Sequence, residues 1–390
     1  MKIKNRYDVV VVGGGPAGSV AARYVAEAGL SVIILEKDRD IGYPVRCGEA
    51  VAHEGLEQFI DIDSKFISSY IDKFIMVAPN GEEVEFPLGG VKGYVLDRKI
   101  FDYELAKIAA KYGAEILTKA YVYDLIKKDR KVSGVKYEFQ GEKLEIECDI
   151  VIGADGVESR VGRWAGLETY VNFREMESAA SYTIANANID PNALYFYFGD
   201  NVAPQGYLWV FAKGNNSANV GIGIGGMMAK NKSALQYLDD FMEKHFPNVQ
   251  ILTKVAGGVP CVPTLEKISA PGLILVGDAA RQVNPLTGGG IYSAMVGGQV
   301  GGRIVAEAIK SKNLDHIFTY DKAWAERMGN RHKIFNNIKN GIYNFKDDKF
   351  NSIAKAINKI PKDERTFGKL FRTALINQPS LLIDVAKVFL

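Results

Sequence analysis

The sequence predicts an α/β fold: a doubly wound parallel sheet, an inserted antiparallel sheet and a helical C-terminal part. Three observations predict it. The first thirty-six residues read strand, glycine turn, helix, strand, acid. Residues 148–161 and 271–290 each join an apolar strand to a glycine-containing turn. Between them, residues 175–265 alternate and are rich in Tyr, Phe and Gly, as antiparallel strands are. The chain has 390 residues, room for two domains and a smaller third part. Hydrophobic residues make up 47% and charged residues 24%, which excludes a disordered chain, a coiled coil and a collagen. A net charge of +2 is too small to point to nucleic acid, so no nucleic-acid partner is expected. Three cysteines, odd in number and far apart, make neither a disulfide framework nor a closed zinc site. The four histidines form no ligand or triad spacing, so no metal is expected. No apolar run approaches the ~18 residues of a spanning helix. The glycines after residue 12 and Pro16 break any signal-peptide helix. A reduced, cytoplasmic chain is the expectation.

Residues 8–12 (DVVVV) form a short β-branched run suited to a buried parallel strand. The turn GGGPAG follows, then a helical pattern, then a second buried strand ending at Glu36. This is the dinucleotide-binding βαβ unit. Gly13 permits the tight turn, Gly15 lets the backbone approach a pyrophosphate, and Gly18 lets the helix lie close to the strand. The helix N-terminus faces phosphate with partial positive charge, and Glu36 can accept a ribose hydroxyl.

Residues 148–161 then read CDIVIGADGVESRV, with Asp155-Gly156 after the strand. Residues 271–290 read PGLILVGDAARQVNPLTGGG, with Gly277-Asp278 and then a long helical pattern from Ile291. In these three elements the chain resembles the flavoprotein hydroxylase superfamily. The resemblance implies a Rossmann-type FAD-binding domain with an inserted, p-hydroxybenzoate hydroxylase-like antiparallel sheet, and FAD as cofactor. It implies that Asp278 contacts the ribityl chain and that Gly289, Gly290 and Ile291 face the flavin and its phosphates. It also makes Ala17, Arg98 and Val122 cofactor contacts.

Two further segments bear on the reaction. Residues 43–50 read YPVRCGEA, and residues 204–211 read PQGYLWVF. Together they resemble the geranylgeranyl reductase family, with its R-C-G segment and P-x-x-Y-x-W-x-F-P signature. The final proline is Ala212 here. The resemblance places Cys47, Gly48 and Ala50 beside the flavin, and Pro204, Tyr207, Trp209 and Phe211 against substrate. Tyr207, Trp209 and Phe211 alternate, so on a strand they share one face and make an apolar wall for a prenyl chain. The GIGIGG run from Gly221 reads as a glycine-rich strand, because no acid-ended strand follows it.

The implied reaction is reduction of the C=C bonds of geranylgeranyl chains in archaeal membrane lipid precursors. An isolated alkene is not electrophilic, so hydride from N5 of reduced FAD must be matched by a proton from an acid. Cys47 is the first candidate, its thiol pKa lowered by Arg46 nearby, and Tyr207 is the second. A positive centre forming at carbon would be stabilised by the aromatic wall, by about 0.5–2 kcal/mol per ring. Two alternatives stay open: an aromatic hydroxylase using NADPH and oxygen, and a non-catalytic flavin-loaded protein that binds prenyl lipid. The electron donor is a reduced carrier, a ferredoxin or NAD(P)H or another. The expected layout is an FAD-binding domain of residues 1–70, 96–174 and 266–320, a substrate sheet of 71–95 and 175–265, and a helical region of 321–390. Residues 321–390 carry a net +7, leaving −5 elsewhere. That basic amphipathic end suits the inner face of a membrane. The missing Ser- and Arg-rich leader favours the archaeal lipid over a pigment precursor.

Overall fold

The computed structural model describes residues 3–214, 216–366 and 368–369. Its centre is an eight-stranded sheet. Strand Arg6–Val12 is apolar on both faces and fully enclosed at Val9, Val10 and Val11. It pairs in parallel with Val32–Leu35 on one side and Glu142–Gly153 on the other. Leu273–Leu275 adds in parallel beyond Glu142–Gly153, and Glu115–Leu117 beyond Val32–Leu35. Helix Pro16–Glu27 covers one face with Val20, Ala21 and Val25. It packs on helix Ile291–Lys310, where glycine is required. A Cβ at Gly298 would lie 2.3 Å from the Ala17 carbonyl oxygen, and one at Gly302 would lie 2.6 Å from that of Ala21.

A seven-stranded sheet runs in the order Gln250–Val259, Glu177–Ala185, Ser217–Gly225, Tyr207–Ala212, Ala193–Tyr197, Lys73–Val77, Glu83–Pro87. It is antiparallel at every pairing but one. Ala193–Tyr197 and Lys73–Val77 run parallel. A small sheet of Ala50–Ala52, Gly93–Leu96 and Ile67–Ile71 completes the set. The GIGIG run lies inside strand Ser217–Gly225.

Residues 319–358 are mainly helical: Thr319–Trp324, a π-turn at Ala325–Gly329, Asn330–Ile342 and Asp347–Asn358. Ile353, Ala354 and Ile357 of the last helix pack on Val84 and Phe86. Of the expected lipid-facing end, residues 321–390, residue 367 and residues 370–390 lie outside the described residues. His332 is fully enclosed between Trp324 and Phe335, with both ring nitrogens unpartnered among the described residues. Burial lowers its pKa from 6.5 to about 4. Above pH 6.5 the imidazole is neutral both folded and unfolded. Below that, the unfolded chain takes up the proton first, so stability should fall between pH 6.5 and about 4. The loss attributable to this group is about 3 kcal/mol. Denaturant titrations across that range should show a His332→Phe variant losing correspondingly less. Equal losses in both proteins would refute the assignment.

Candidate active site

The glycine turn opens onto a cleft of about 290 Å³ lined by Gly13, Gly15, Glu36, Arg98 and Val122, with Asp155 beside Gly13. The three glycines of the turn differ in what they permit. Gly13 has φ +105°, and a Cβ there would lie 2.4 Å from the Ala154 carbonyl oxygen. A Cβ at Gly18 would lie 2.0 Å from the Gly13 oxygen. At Gly15 a Cβ would meet nothing within 4 Å, and φ is an ordinary −70°. Gly13 and Gly18 are thus bound by packing, whereas Gly15 keeps a cradle open at a helix N-terminus. Glu36 accepts from the Gly14 and Asp38 N–H groups at 2.8 and 2.9 Å, which holds its carboxylate at the cleft with lone pairs to spare. Asp155 Oδ1 is buried and has no partner among the described residues, and burial raises its carboxyl. An open phosphate cradle, a ribose acceptor and an orphaned polar atom in the lining of the same cleft fit an adenine dinucleotide.

That reading separates two glycine substitutions. Gly15→Val should leave secondary structure and melting unchanged while lowering FAD affinity at least ~100-fold, since it fills the space a pyrophosphate would take. Visible flavin absorbance per protein after dialysis would measure it. A variant that purifies fully flavin-loaded would refute the role of Gly15.

Asp278 lies in the turn Gly277–Ala280. A Cβ on Gly290 would lie 3.4 Å from its Oδ1, and one on Gly277 would lie 2.8 Å from the Ala17 methyl. Asp278, Ala17, Gly290 and the start of helix Ile291–Lys310 therefore meet at one place, and Gly289 donates its N–H to Thr287 Oγ1. Burial raises the Asp278 carboxyl, opposed by the Arg98 guanidinium. Arg98 heads helix Arg98–Lys111 and is bidentate to buried Asp102 at 2.6 and 2.7 Å. Val122 lies in strand Tyr121–Lys128.

Cys47 lies where the cofactor half meets the seven-stranded sheet. Burial raises its thiol, while the Arg98 guanidinium and the Glu49 N–H, which donates to Sγ at 3.2 Å, pull the other way. The cation that acts on Cys47 is Arg98, not Arg46. Arg46 is adjacent in sequence but exposed, whereas Arg98 arrives from a separate helix. Gly48 lies on the aromatic strand: a Cβ there would be 3.2 Å from both Phe211 and Trp209. Ala50 begins the small strand paired with Gly93–Leu96.

The aromatic wall stands on strand Tyr207–Ala212. Tyr207 meets Trp209 edge-on at 6.0 Å, and Trp209 meets Phe211 at 6.2 Å. Phe196 on the next strand touches Tyr207 and Phe211 at 5.5 and 5.4 Å and extends the wall. The glycines of strand Ser217–Gly225 make room for it. A Cβ on Gly221 would lie 2.2 Å from Trp209 Cζ2. Pro204 accepts the Gly225 N–H at 3.1 Å and closes the end of the strand. The Tyr207 hydroxyl donates to the Thr287 carbonyl at 2.5 Å, and burial raises its pKa well above the usual phenol range.

Four residues that sequence reasoning missed hold this junction. Buried Asn219 donates to the Cys47 carbonyl at 2.8 Å and to Glu49 at 3.1 Å, and accepts from the Trp209 indole at 2.9 Å. Lys213 pairs with Glu49 at 2.5 Å and donates to the Leu96 carbonyl. Glu49, 2% exposed, also accepts from the Arg98 N–H at 3.2 Å. Asp102 is the fourth, through Arg98. A polar residue in an otherwise glycine and apolar strand was the available signal for Asn219.

Residues 6–201 match an FAD binding domain model, and residues 175–259 match a geranylgeranyl reductase catalytic domain model. The chain is 42% identical to digeranylgeranylglycerophospholipid reductase 2 of Methanococcoides burtonii, over 99% of this chain and 97% of that protein. It is 43% identical to the digeranylgeranylglycerophospholipid reductase of Methanosarcina acetivorans, over the same shares. Among solved structures it is similar to a geranylgeranyl bacteriochlorophyll reductase-like protein of Thermoplasma acidophilum. That match has a TM-score of 0.92 and 35% identity and covers 98% of this chain and 99% of the other.

Proposed function

Because the chain belongs to the geranylgeranyl reductase family, we propose that it is an FAD-dependent reductase saturating the geranylgeranyl chains of archaeal phospholipid precursors. The observation that carries this reading is the chain of contacts from a dinucleotide cleft to an aromatic wall: Arg98 lines the cleft and acts on the half-buried Cys47 thiol, and the adjoining Gly48 rests on Trp209 and Phe211. We assign cofactor binding to the eight-stranded sheet with its helices, and substrate binding to the seven-stranded sheet.

Bound reduced flavin supplies the hydride. The chain must supply the proton and shelter the charge. Cys47 is the acid in this assignment. Burial keeps it a thiol, and Arg98 with the Glu49 N–H stabilises the thiolate left behind. Tyr207 is the poorer acid, since its proton is committed to the Thr287 carbonyl. Its ring, with Trp209, Phe211 and Phe196, lines the prenyl chain and stabilises positive character at carbon. Arg98, Asp102 and Asp278 hold the charge pattern around the cofactor.

A nicotinamide nucleotide or a ferredoxin re-reduces the flavin in this scheme, and the membrane surface presents the lipid. Among the described residues, no helix is long and apolar enough to cross a membrane. The test is anaerobic. The protein is reduced chemically and given geranylgeranyl phospholipid, and the product is weighed. Gain of two hydrogens per double bond supports the reading. Oxygen consumption in step with substrate would favour a hydroxylase, and binding without flavin reoxidation a carrier.

A further inference from the structure

Glu49 has a left-handed backbone, with φ at +69°. That region is unfavourable for residues other than glycine, and a strained residue persists only where its surroundings over-determine it. Glu49 is 2% exposed and bonded at every polar atom. Its carbonyl accepts the Leu96 N–H at 3.0 Å. Its Oε1 accepts the Arg98 N–H at 3.2 Å, and its Oε2 takes the Lys213 ammonium at 2.5 Å and the Asn219 amide at 3.1 Å. Lys213 also donates to the Leu96 carbonyl at 3.1 Å, so side chain and main chain of Glu49 are tied to the same strand end.

The left-handed turn has a chemical result. The Glu49 N–H points back along the chain and donates to the Cys47 sulfur at 3.2 Å. The residues between are fixed to match. Asn219 holds the Cys47 carbonyl at 2.8 Å, and a Cβ on Gly48 would lie 3.2 Å from both Trp209 and Phe211. The orientation of the Asn219 amide is forced. Its oxygen takes the Trp209 indole N–H at 2.9 Å, so its nitrogen faces two pure acceptors, the Cys47 carbonyl and the Glu49 carboxylate. A glycine at position 49 would adopt this turn without strain and without a buried ion pair. The glutamate costs stability on both counts, and what it supplies is an N–H held in one direction.

We propose that Glu49 is a positioning residue for the acid: its locked carboxylate enforces the left-handed turn that keeps its N–H on the Cys47 sulfur as the proton leaves. The inference rests on the reductase reading above, with Cys47 as the acid. The S–H bond breaks, its proton forms a C–H bond at one alkene carbon, and the hydride of bound reduced flavin forms one at the other. The S–H electron pair stays on sulfur. The N–H then faces a full negative charge, where a hydrogen bond is about twice as strong as to a neutral group. The sulfur is only half-buried, so solvent returns the proton.

The test is Glu49→Gly combined with Lys213→Met. Removing both members of the ion pair keeps the charge around the sulfur balanced, and glycine tolerates the turn. The variant should hold FAD and melt well above Lys213→Met alone, which leaves Glu49 charged and unpaired. Its Cys47 thiol should nonetheless titrate about one pH unit higher, a roughly tenfold loss of thiolate at a given pH, because the donor is no longer held. The pH profile of iodoacetamide labelling, read by mass, reports this, since Cys148 and Cys261 are buried and Cys47→Ala supplies the blank. Anaerobic reoxidation of reduced flavin by saturating geranylgeranyl phospholipid should slow by about 10-fold or more at unchanged lipid affinity. In a Cys47→Ala background the same pair of changes should alter that rate by less than about 2-fold. Glu49→Gln with Lys213→Met keeps one acceptor of the clamp and should fall between in both readings, and it decides the matter if the glycine variant does not load flavin. An unmoved thiol titration, or equal slowing with and without the Cys47 sulfur, would overturn the proposal, since a merely structural role predicts the latter. If the wild type reduces no prenyl lipid, the reductase reading falls and the role in the reaction with it, while the titration still reports separately on whether Glu49 holds the sulfur.

Discussion

A Cys47→Ala variant should bind FAD normally and reduce geranylgeranyl lipid about 10²–10⁴-fold more slowly, the usual loss when a general acid is removed. The wall, the cleft and the network behind Cys47 do not depend on its thiol. Asn219 bonds the backbone carbonyl of residue 47, and Gly48 makes the contact with Phe211 and Trp209. The deficit should therefore lie in the rate of flavin reoxidation by bound lipid, not in lipid affinity. Anaerobic stopped-flow at saturating lipid separates the two. Cys47→Ser should fall between, because a hydroxyl in that place gives up its proton far less readily than a thiol. If both variants reoxidise at the wild-type rate with FAD bound, Cys47 is not the acid.

Lys213→Met should destabilise the protein by about 3–5 kcal/mol, because it leaves the Glu49 carboxylate buried without its cation. Glu49 is 2% exposed, and the Lys213 side chain 14%. The Asn219 amide and the Arg98 N–H remain as dipoles, and the Arg98 guanidinium stays near but is engaged by Asp102. Adding Glu49→Gln should restore part of the loss, since it removes the buried charge, although its single carbonyl oxygen can keep only one of the Arg98 and Asn219 hydrogen bonds. Denaturant and thermal unfolding of the two single variants and the double would measure the coupling. A single-variant loss below about 1 kcal/mol, the range of an exposed pair, would mean that Glu49 reaches water and the pair holds nothing together.

The cofactor half of the site was legible in the sequence because its constraints are local. Gly13, Gly15, Gly18 and Glu36 lie within one βαβ unit, and backbone geometry dictates their spacing. The aromatic wall was legible for the same reason, since alternation along one strand puts Tyr207, Trp209 and Phe211 on one face. What escaped was whatever depends on the chain returning from far away. Asn219 reaches the carbonyl of Cys47 across 172 positions, and Tyr343 reaches Glu177 across 166. Arg46 drew attention as the neighbour of Cys47, yet in an extended segment adjacent side chains point apart, and the acting cation is Arg98. The parallel pairing of Ala193–Tyr197 with Lys73–Val77 was likewise not readable, since each strand's own pattern is silent about its partner's direction.

The order of strands in the central sheet has a bearing on biogenesis. Arg6–Val12 needs Glu142–Gly153 as one neighbour, and Leu273–Leu275 must dock beyond that before the Gly277–Ala280 turn can form. At ribosomal speeds of about 5–20 residues per second, the opening strand waits roughly a quarter of a minute to a minute for its distal partners to emerge. During that interval the strand has only helix Pro16–Glu27 and strand Val32–Leu35 beside it, so its other edge stays unpaired and nascent chains should depend on chaperones that cover such edges. Flavin can then be captured only late in translation or after release.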